Sequence, residues 1–568
     1  MMIKHKALIF LVIIAALGWL ISTQASAAAE NKLLEIMQGE LNYNFNALQN
    51  ADSIPLYFLS YQIFDDVEFS VSAELGVVKN LSNNHGRYLD VVTRVGSYKL
   101  DNTHEISGGG GMGGFNTGSV RVPLENDENA IKLKIWNETE KKYKEALKRY
   151  TNVLTAISVK VEAEDQSDDF SHEAPADYIG DEVSLDVNAD LWRDKVKRYS
   201  AIFMNHPEIE NSSVTLSTRA SNSYFVSSEG TKIQDGLTYI RLSISCNTVA
   251  DDGMQLSRFE GFDAADFNGL PGDDEVIATI QRLITEINNL RSAPLAEPYT
   301  GPAILMGRAS GVFFHEIFGH RMEGFRQKSE SEGQTFTKKV GELILPDFIS
   351  VYSDPTMRKF NGTDLRGYYR YDDEGVKGLR VTLVDHGILK NFMMSRAPIN
   401  NFPHSNGHGR KNKGFDVVSR QSNLIIESDK TVKFDELKQQ LIEECKRQNK
   451  PYGLIFHDIS GGFTMTQRFM PQSFKVIPLY VTKIYVDDGH EEVIRGVDIV
   501  GTPLTSFSKI IMAADDPDVF NGTCGAQSGW VPVSAISPSL LLSEIEIERS
   551  QKGQDRPPLL PSPVEQQQ

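Results

Sequence analysis

Apolar residues recur at helical spacing in several stretches of the chain, and these stretches are predicted to be helices. In residues 28–50 the apolar positions are Leu33, Leu34, Ile36, Met37 and Leu41. A second amphipathic stretch, 125–159, is predicted to bury a face made of Trp136, Tyr143, Leu147, Tyr150 and Leu154. The other predicted helices are 192–204, 273–292, 307–325 and 434–448.

Alternating apolar and polar residues predict strands in most of the remaining chain. Near the N-terminus the predicted strands are 53–64, 67–78 and 88–100. Residues 212–250 form a second set of strands with a Ser-Glu-Gly turn. Beyond residue 340, short strands dominate and are separated by turns such as Asp487-Asp488-Gly489. The pattern predicts an α+β fold of several domains, with a strand-rich, mainly antiparallel C-terminal part.

Changes in composition along the chain predict the domain boundaries. A Pro-rich stretch begins at residue 293 and opens a C-terminal domain, 293–550, which contains the candidate metal site. Before it we predict a smaller N-terminal α+β domain, 28–124, and a middle α/β domain, 125–292, with the long helix. The polar, Pro-rich tail 551–568 is predicted to be disordered.

The N-terminus has the order of a secretory signal peptide. A short basic segment precedes the uncharged apolar run 7–21, and the small residues 25–27 follow. Cleavage after Ala27 would remove residues 1–27, so we expect an exported protein, periplasmic or secreted. An uncleaved anchor helix is the alternative, but the run is short for a membrane span. No later stretch is apolar for long enough to span a membrane, so no stable membrane insertion is expected after cleavage.

The charge and the cysteine count exclude two classes of protein. The sequence has 58 Lys and Arg residues against 76 Asp and Glu, a formal net charge of −18. Phosphate binding needs a basic face, so we expect no nucleic-acid partner. Cys246, Cys445 and Cys524 are too few for a disulfide framework, and their odd number leaves at least one thiol without an intrachain partner.

The strongest candidate for chemistry is the stretch His315-Glu316-Ile317-Phe318-Gly319-His320. In the zinc-peptidase helix, two histidines at i and i+4 share a face, and the Glu beside the first is the general base. The spacing here is i and i+5, which separates the rings by about 140° on a regular helix, too far to chelate one ion. We therefore predict a break between Glu316 and His320, either a π-bulge or a helix end near Gly319. The alternative is a pair of histidines that only satisfy core hydrogen bonds.

A hydrolytic zinc site needs three protein ligands and an open position, so a third ligand must be found. The residues alone leave it open, and the candidates are Glu323, His404, His408, His457, His490 and a cysteine. Cys524 is a candidate because glycines flank it and let the backbone approach another group closely. The loop with Arg410 and Lys411 is interpreted as a substrate-contacting loop, with an ordinary solvated loop as the alternative.

Several motifs occur in a fixed order over residues 195–548. They are HEIFGHRMEG (315–324), FTKKVGE (336–342), DDEGV (372–376), GHGR (407–410), SGG (460–462) and CGAQSGWVPVSAISPSLLL (524–542). Together they resemble the TldD/PmbA family of metallopeptidases. The resemblance implies that His315, His320 and Cys524 bind one Zn²⁺ per active subunit and that Glu316 is the catalytic base. Three further residues in these motifs, Arg410, Gly461 and Gly462, are predicted to contact the substrate.

The resemblance also implies an assembly. The HExxxH motif is typical of the TldD-type, active half of the family, which forms dimers enclosing a cavity for unfolded peptides. We therefore expect either a homodimer or a heterodimer with a PmbA/TldE-like subunit. A signal peptide departs from the well-known cytoplasmic members.

The sequence thus predicts a zinc-dependent metallopeptidase that hydrolyses peptide bonds of unfolded or short peptides through a water activated by the metal and Glu316. The alternative function is a non-catalytic metal- or peptide-binding subunit of a TldD/PmbA-like complex. The presence of Glu316 favours catalysis, because a site that only binds needs no base beside the first ligand.

Overall fold

A computed structural model describes residues 32–106, 118–158, 164–470 and 473–550 of the chain. The predicted signal peptide, 1–27, and the predicted disordered tail, 551–568, lie outside the described residues. Within the described ranges, no helix has both the length and the apolar character needed to cross a membrane.

The first part of the described chain combines helices and long strands. Its helices are α1 (Lys32–Leu48), α2 (Glu128–Ser158), α3 (Ala189–Ala201) and α4 (Asp273–Ser292). Its strands are β1 (Leu56–Glu74), β2 (Val77–Val95), β3 (Val120–Arg121), β4 (Asp177–Ile179), β5 (Asn211–Ser227), β6 (Lys232–Val249) and β7 (Gln255–Ala264). The helices predicted in this part are confirmed.

The strands of this part form one seven-stranded sheet in the order β3-β2-β1-β5-β6-β4, with β7 also paired to β6. The predicted N-terminal and middle domains therefore contribute strands to the same sheet. The strands predicted at 53–64 and 67–78 join in β1 up to Glu74, where the two acidic residues between them are paired, and residues 77–78 begin β2 after a turn at 75–76. Asp65 contacts Arg87 at 2.5 Å, and Asp66 contacts Arg219 at 3.0 Å.

The two faces of this sheet differ. Most odd-numbered residues of β1, such as Tyr61 and Val71, are buried beneath the helices. The predicted buried face of α2 is partly wrong: Trp136 is 46% exposed, whereas Ile131 and Ile135 are fully buried against the sheet. The other sheet face, with its even-numbered β1 residues, lies against the C-terminal part of the chain, where Gln62 Nε2 donates to Asp373 at 3.1 Å.

The C-terminal part is rich in strands. Its helices are α5 (Gly307–Ile317), α6 (Phe325–Lys328), α7 (Phe434–Arg447) and α8 (Pro503–Phe507). The longer strands are β8 (Tyr299–Leu305), β9 (Ile349–Ser353), β12 (Val381–Asp385), β16 (Asn423–Ser428), β18 (Tyr452–Thr464), β19 (Phe474–Tyr485), β20 (Glu491–Ile494), β21 (Val497–Gly501), β22 (Ile510–Ala514), β23 (Asp518–Ala526), β24 (Gly529–Ser537) and β25 (Leu540–Arg549). The two-residue strands are β10 (Lys359–Phe360), β11 (Thr363–Asp364), β13 (Ile388–Leu389), β14 (Gly409–Arg410), β15 (Val418–Ser419) and β17 (Thr431–Val432).

Two sheets make up most of this part, and their pairings are mainly antiparallel. A six-stranded sheet has the order β13-β12-β9-β16-β24-β23, and an eight-stranded sheet has the order β17-β22-β25-β21-β19-β18-β8, with β20 paired to β19. A further pairing of β25 with β8 closes strands β25, β21, β19, β18 and β8 into a ring. The fold as a whole is α+β, multi-domain and rich in strands.

Helix α5 lies between these two sheets. It contacts β18 on one side and β23 and β24 on the other, and the side chains along it from Ala309 to Ile317 are buried. A helix that is apolar all round is stable only in such a position. At Gly311 a Cβ would lie 3.2 Å from the Cβ of Ala535, so glycine permits the close approach of helix and strand. The last turn of this buried helix carries His315 and Glu316.

Candidate metal centre

The helix that carries the first histidine ends before the second. Helix α5 stops at Ile317, and a 3₁₀ turn, Gly319–Met322, follows. The predicted break between Glu316 and His320 is therefore confirmed, and it is a helix end, not a π-bulge. The two imidazole ring centroids lie 5.1 Å apart, which a continuous α-helix would not allow at this spacing.

The role of Gly319 differs from the one expected. Its φ is not positive, so no special turn conformation requires glycine there. Instead, a Cβ at this position would lie 1.8 Å from Oε1 of Gln421. The Gln421 amide occupies that space and donates from Nε2 to the carbonyl of His315 at 3.2 Å. Gly319 and Gln421 together hold the end of α5 in place.

Three side chains converge at this helix end. His315, His320 and Cys524 are buried, and their ligand atoms all lie within 4.8 Å of one another. Cys524 comes from β23, and its Sγ lies 3.4 Å from Nε2 of His320. The buried Nδ1 of His315 has no hydrogen-bond partner among the described residues. A buried imidazole nitrogen without a partner is costly, and a metal ion would satisfy it.

The charge state of the thiol separates Cys524 from the other cysteines. Burial raises the pKa of both Cys246 and Cys445 to about 12, as expected for inert buried thiols. Burial also opposes ionisation of Cys524, but His320, His315 and Arg420 outweigh it and hold its pKa well below the ordinary value. Burial opposes protonation of His320 in turn, yet the sulfur and Glu323 raise its pKa to about 10. The site favours a thiolate, which is the form that binds metals.

Glu323 supports the site and is not placed to be its third ligand. Its Oε2 lies 3.4 Å from Nδ1 of His320, on the ring edge away from Cys524. The carboxylate is fully buried and also contacts Arg326 (2.8 Å) and Arg420 (3.4 Å). Despite its burial, these cations and His320 lower the pKa of Glu323 to about 2. A carboxylate on the second nitrogen of a ligating histidine fixes the tautomer and the ring orientation.

Glu316 lies beside the three converging side chains. It is buried, and its Oε2 is 4.0 Å from Nε2 of His320. Burial raises the pKa of Glu316, although the two histidines act in the opposite direction. Gly462 of β18 lies directly against it: a Cβ there would be 3.0 Å from Cγ of Glu316. The predicted substrate residue Gly462 thus lies next to the predicted base, and Gly461 adjoins it with open space around its Cα.

The other third-ligand candidates lie elsewhere or have other partners. His408 is fully buried, is bonded to Asn406 and Ser353, and has its pKa lowered to about 3 by burial. His457 contacts Thr482 at 2.9 Å, and His404 is exposed beside Glu173. His490 lies in an exposed turn with Asp487 and Asp488. Cys524 is the candidate that the fold brings to His315 and His320.

Arg410 lies near the metal centre without entering it. Its Nη1 donates to the carbonyl of Gln421 at 2.6 Å, and its guanidinium stacks on Tyr369. Lys411 is buried too and is paired with Asp90 of β2 at 2.5 Å. Neither residue belongs to a solvated loop, so that alternative is wrong. Substrate contact by Arg410 stays a prediction.

Sequence reasoning missed the supporting residues Arg420 and Gln421. Arg420 is fully buried and donates from Nη2 to the carbonyl of Cys524 at 2.8 Å. The stretch SRQSN (419–423) was visible as a polar run that leads directly into the apolar residues of β16. Such a run needs buried partners, and here the partners are the metal-centre backbone and side chains.

The comparisons with known proteins agree with the resemblance in the C-terminal part. Residues 298–549 match the family model described as the PmbA/TldA metallopeptidase C-terminal domain. A metalloprotease of Archaeoglobus fulgidus is 29% identical over 279 residues, which are 48% of this chain and 58% of that protein. A zinc metalloprotease TldD homolog of Saccharolobus solfataricus is 25% identical over 356 residues, covering 60% of this chain and 72% of that protein. Residues 298–549 are thus similar to the C-terminal domain of PmbA/TldA metallopeptidases, and about half of the chain or more is similar to proteins named metalloproteases.

The fold has a counterpart among solved structures. TldE from Thermococcus kodakarensis superposes with a TM-score of 0.57 and 14% sequence identity. The superposition covers 90% of this chain and 99% of that one. At this identity the likeness concerns the fold alone.

Proposed function

We propose that this chain is a zinc-dependent metallopeptidase of the TldD type that cleaves unfolded or short peptides. The observation that carries the proposal is the convergence of His315, His320 and Cys524 within 4.8 Å, with Glu316 beside them. Two imidazoles and a thiolate form a ligand set that Zn²⁺ accepts, with room for a fourth, exchangeable position.

The chain's own residues fit a metal ion at this point. The unpartnered Nδ1 of His315, the low pKa of the Cys524 thiol and the carboxylate behind His320 are each typical of a ligating group. When bound, zinc would supply a Lewis acid that makes water more acidic and polarises a peptide carbonyl. His315, His320 and Cys524 would hold the ion.

Glu316 is the proposed general base. Because burial raises the pKa of Glu316, its carboxylate is a better proton acceptor than an exposed one. It takes a proton from the attacking water as the C–O bond forms, and it gives that proton to the leaving amine as the C–N bond breaks. One carboxylate therefore accounts for both proton transfers, and no redox partner is needed.

The strand next to Glu316 supports an extended peptide as substrate. Strand β18 pairs with β8 only through Phe456, whereas its pairing with β19 continues to Thr464. Among the described residues, no strand pairs with the other edge of 459–464. An unfolded peptide can add to such an edge as a further strand, through hydrogen bonds of its backbone. Binding of this kind depends little on the peptide sequence. It also excludes folded proteins.

The assembly and the location of the protein are also proposals. A homodimer, or a heterodimer with a PmbA/TldE-like subunit, is supported by the fold shared with TldE. Export to the periplasm, or secretion, is supported by the sequence pattern of residues 1–27.

The proposal is tested with Glu316→Gln, which removes the base and keeps the side-chain volume. We expect the variant to retain about one zinc per chain while hydrolysis of unfolded peptides falls by about 10² or more. Zinc is measured by atomic emission, and hydrolysis by mass spectrometry of an unfolded peptide mixture. The control is Glu444→Gln in α7, the same change at another buried glutamate of the domain, which should leave both quantities unchanged.

Equal hydrolysis by Glu316→Gln and the unmodified protein would refute the assigned role of the base. If the unmodified, zinc-loaded protein binds peptides but cleaves none, the non-catalytic binding subunit becomes the correct function.

A further inference from the structure

A second cavity lies between the seven-stranded sheet and the C-terminal part, apart from the metal centre. Its volume is about 680 Å³, within the usual range for sites that bind small organic molecules. The sheet contributes apolar side chains such as Phe225 and Leu237, and the C-terminal part contributes Arg358, Arg366 and Arg410. Both sides also carry acidic residues, Asp235 and Asp263 from the sheet and Asp364, Asp372 and Asp373 from the C-terminal part, so the lining mixes apolar side chains with both signs of charge.

Among the described residues, none of these three arginines has a carboxylate partner, and Arg366 and Arg410 are the two that are not exposed. The guanidinium carbon of Arg366 lies 4.3 Å from the ring centroid of Tyr239, and that of Arg410 lies 4.8 Å from the centroid of Tyr369. Within the described ranges, no carboxylate oxygen comes within 4.0 Å of either guanidinium. Nε of Arg366 is buried without a hydrogen bond, and burial lowers the pKa of this side chain.

The acidic residues of the same cavity are already occupied. Asp235 is paired with Arg370 at 2.5 Å, and Asp263 with Arg241 at 2.7 Å. Asp364, Asp372 and Asp373 accept the backbone N–H groups of Ala265, Gly409 and Lys411, and Asp181 is exposed. Asp263 attracts Arg366 and Asp373 attracts Arg410 through space, but neither carboxylate lies within 4.0 Å, so neither guanidinium has a direct ion pair.

We propose that this cavity binds a small organic anion, in which a carboxylate or phosphate is attached to an aromatic or apolar body. A guanidinium held over a tyrosine ring can present its N–H fork to one planar or tetrahedral anion, and both chemistries match that fork. The apolar side chains from the sheet would cover the body of the ligand. This site shares Arg410 with the predicted substrate residues, but it includes neither the three proposed metal ligands nor Glu316.

The test uses three probes of nearly equal size: benzoate, phenyl phosphate and uncharged benzamide. Binding to the full chain is measured by calorimetry, both as purified and after chelator treatment, because a carboxylate or phosphate could also bind zinc. We expect at least one anion to bind tenfold or more tightly than benzamide and to do so equally without metal. The anion that binds more tightly, benzoate or phenyl phosphate, shows whether the natural ligand carries a carboxylate or a phosphate.

Arg366→Gln should abolish the preference for the anion. The control is Arg380→Gln, because Arg380 also stacks on a tyrosine, Tyr352 at 4.1 Å, but lies outside the cavity beside Glu427. Leu237→Trp, which fills the cavity and changes no charge, should weaken all three probes together. Equal binding of benzoate, phenyl phosphate and benzamide, or an anion preference that survives Arg366→Gln and Leu237→Trp, would overturn the proposal.

Discussion

In the part of the chain that the structure describes, two groups of three side chains have ligand atoms close enough to share a metal ion, and they differ in almost every other respect. The buried trio is His315, His320 and Cys524, and the surface trio is Asp487, Asp488 and His490. The first is enclosed between two sheets, whereas the second is exposed in the turn between β19 and β20. Proximity alone does not distinguish them.

Their surroundings do distinguish them. The surface trio is explained by its turn: Oδ1 of Asp488 accepts from the backbone of His490 and lies 2.6 Å from its Nδ1. In the buried trio, Cys524 and His320 are 204 residues apart, and Glu323 fixes the ring from behind. Bringing such groups together in the interior costs free energy that a bound ion would offset. A local turn needs no such explanation.

The largest effect is expected from removing one member of the buried trio. Cys524→Ser replaces the thiolate by a hydroxyl that zinc binds poorly, so bound zinc should fall from about one ion per chain to a small fraction, and peptidase activity with it. Metal content after dialysis is the measurement. Cys445→Ser, the same change at a buried cysteine of α7, should retain all of its zinc. Full zinc occupancy in Cys524→Ser would mean that sulfur is not a ligand.

A smaller loss of zinc affinity is expected when Glu323, which lies behind His320, is changed. Glu323→Gln weakens the contact that orients His320, and zinc affinity should fall by about 10- to 100-fold, as for other carboxylates behind a ligating histidine. A competition titration against a chromophoric chelator measures the affinity. Glu332→Gln is the matched control, because Glu332 contacts Arg326 of the same network (2.7 Å) but not His320. Equal effects of the two variants would show that only the network as a whole matters.

The pH dependence should sharpen the comparison further. In the metal-free protein His320 has its pKa raised to about 10, so at neutral pH it must release a proton before it binds zinc. Affinity should therefore fall about tenfold for each pH unit below 10, or about 1.4 kcal/mol. The pKa of Cys524 is lowered, so the thiol adds no second proton. Calorimetry in buffers of different ionisation enthalpy should detect one released proton, and none would contradict the assigned charge state.

The smallest effect is expected at the surface trio. His490→Ala removes a ring that stacks on Tyr485 at 4.3 Å, but zinc content and peptidase activity should remain at the level of the unmodified protein. Metal content after dialysis is again the measurement. A loss of zinc in this variant would show that the turn between β19 and β20 is a second metal site.

The local pattern of apolar residues predicted where the helices lie better than it predicted which of their faces are buried. The helix expected at 273–292 is α4 itself, because its apolar period and acidic start are properties of neighbouring residues. The extent of α2 was also foreseen, but Trp136 and Leu154 on its predicted buried face are exposed. Which face is buried depends on the sheet, and the sheet is assembled from distant strands.

The same limit applies to the candidate site. The break between His315 and His320 followed from helical geometry, since both residues lie in one short stretch. The choice of Cys524 needed the family resemblance, because no local rule relates residues that distant. The function of Glu323 behind the ring could not be inferred, since it depends on which edge of His320 faces the sulfur.

The strand ring of the C-terminal part has a consequence for biosynthesis. Strand β8 is the first strand of that part to leave the ribosome, yet it pairs with β25, the last one, from Tyr299–Ile547 to Leu305–Leu540. The ring cannot close until translation has passed β25, so the nascent domain must wait with an unpaired strand edge. Cys524 also emerges late, so the set of three proposed ligands is complete only after β23 has been synthesised.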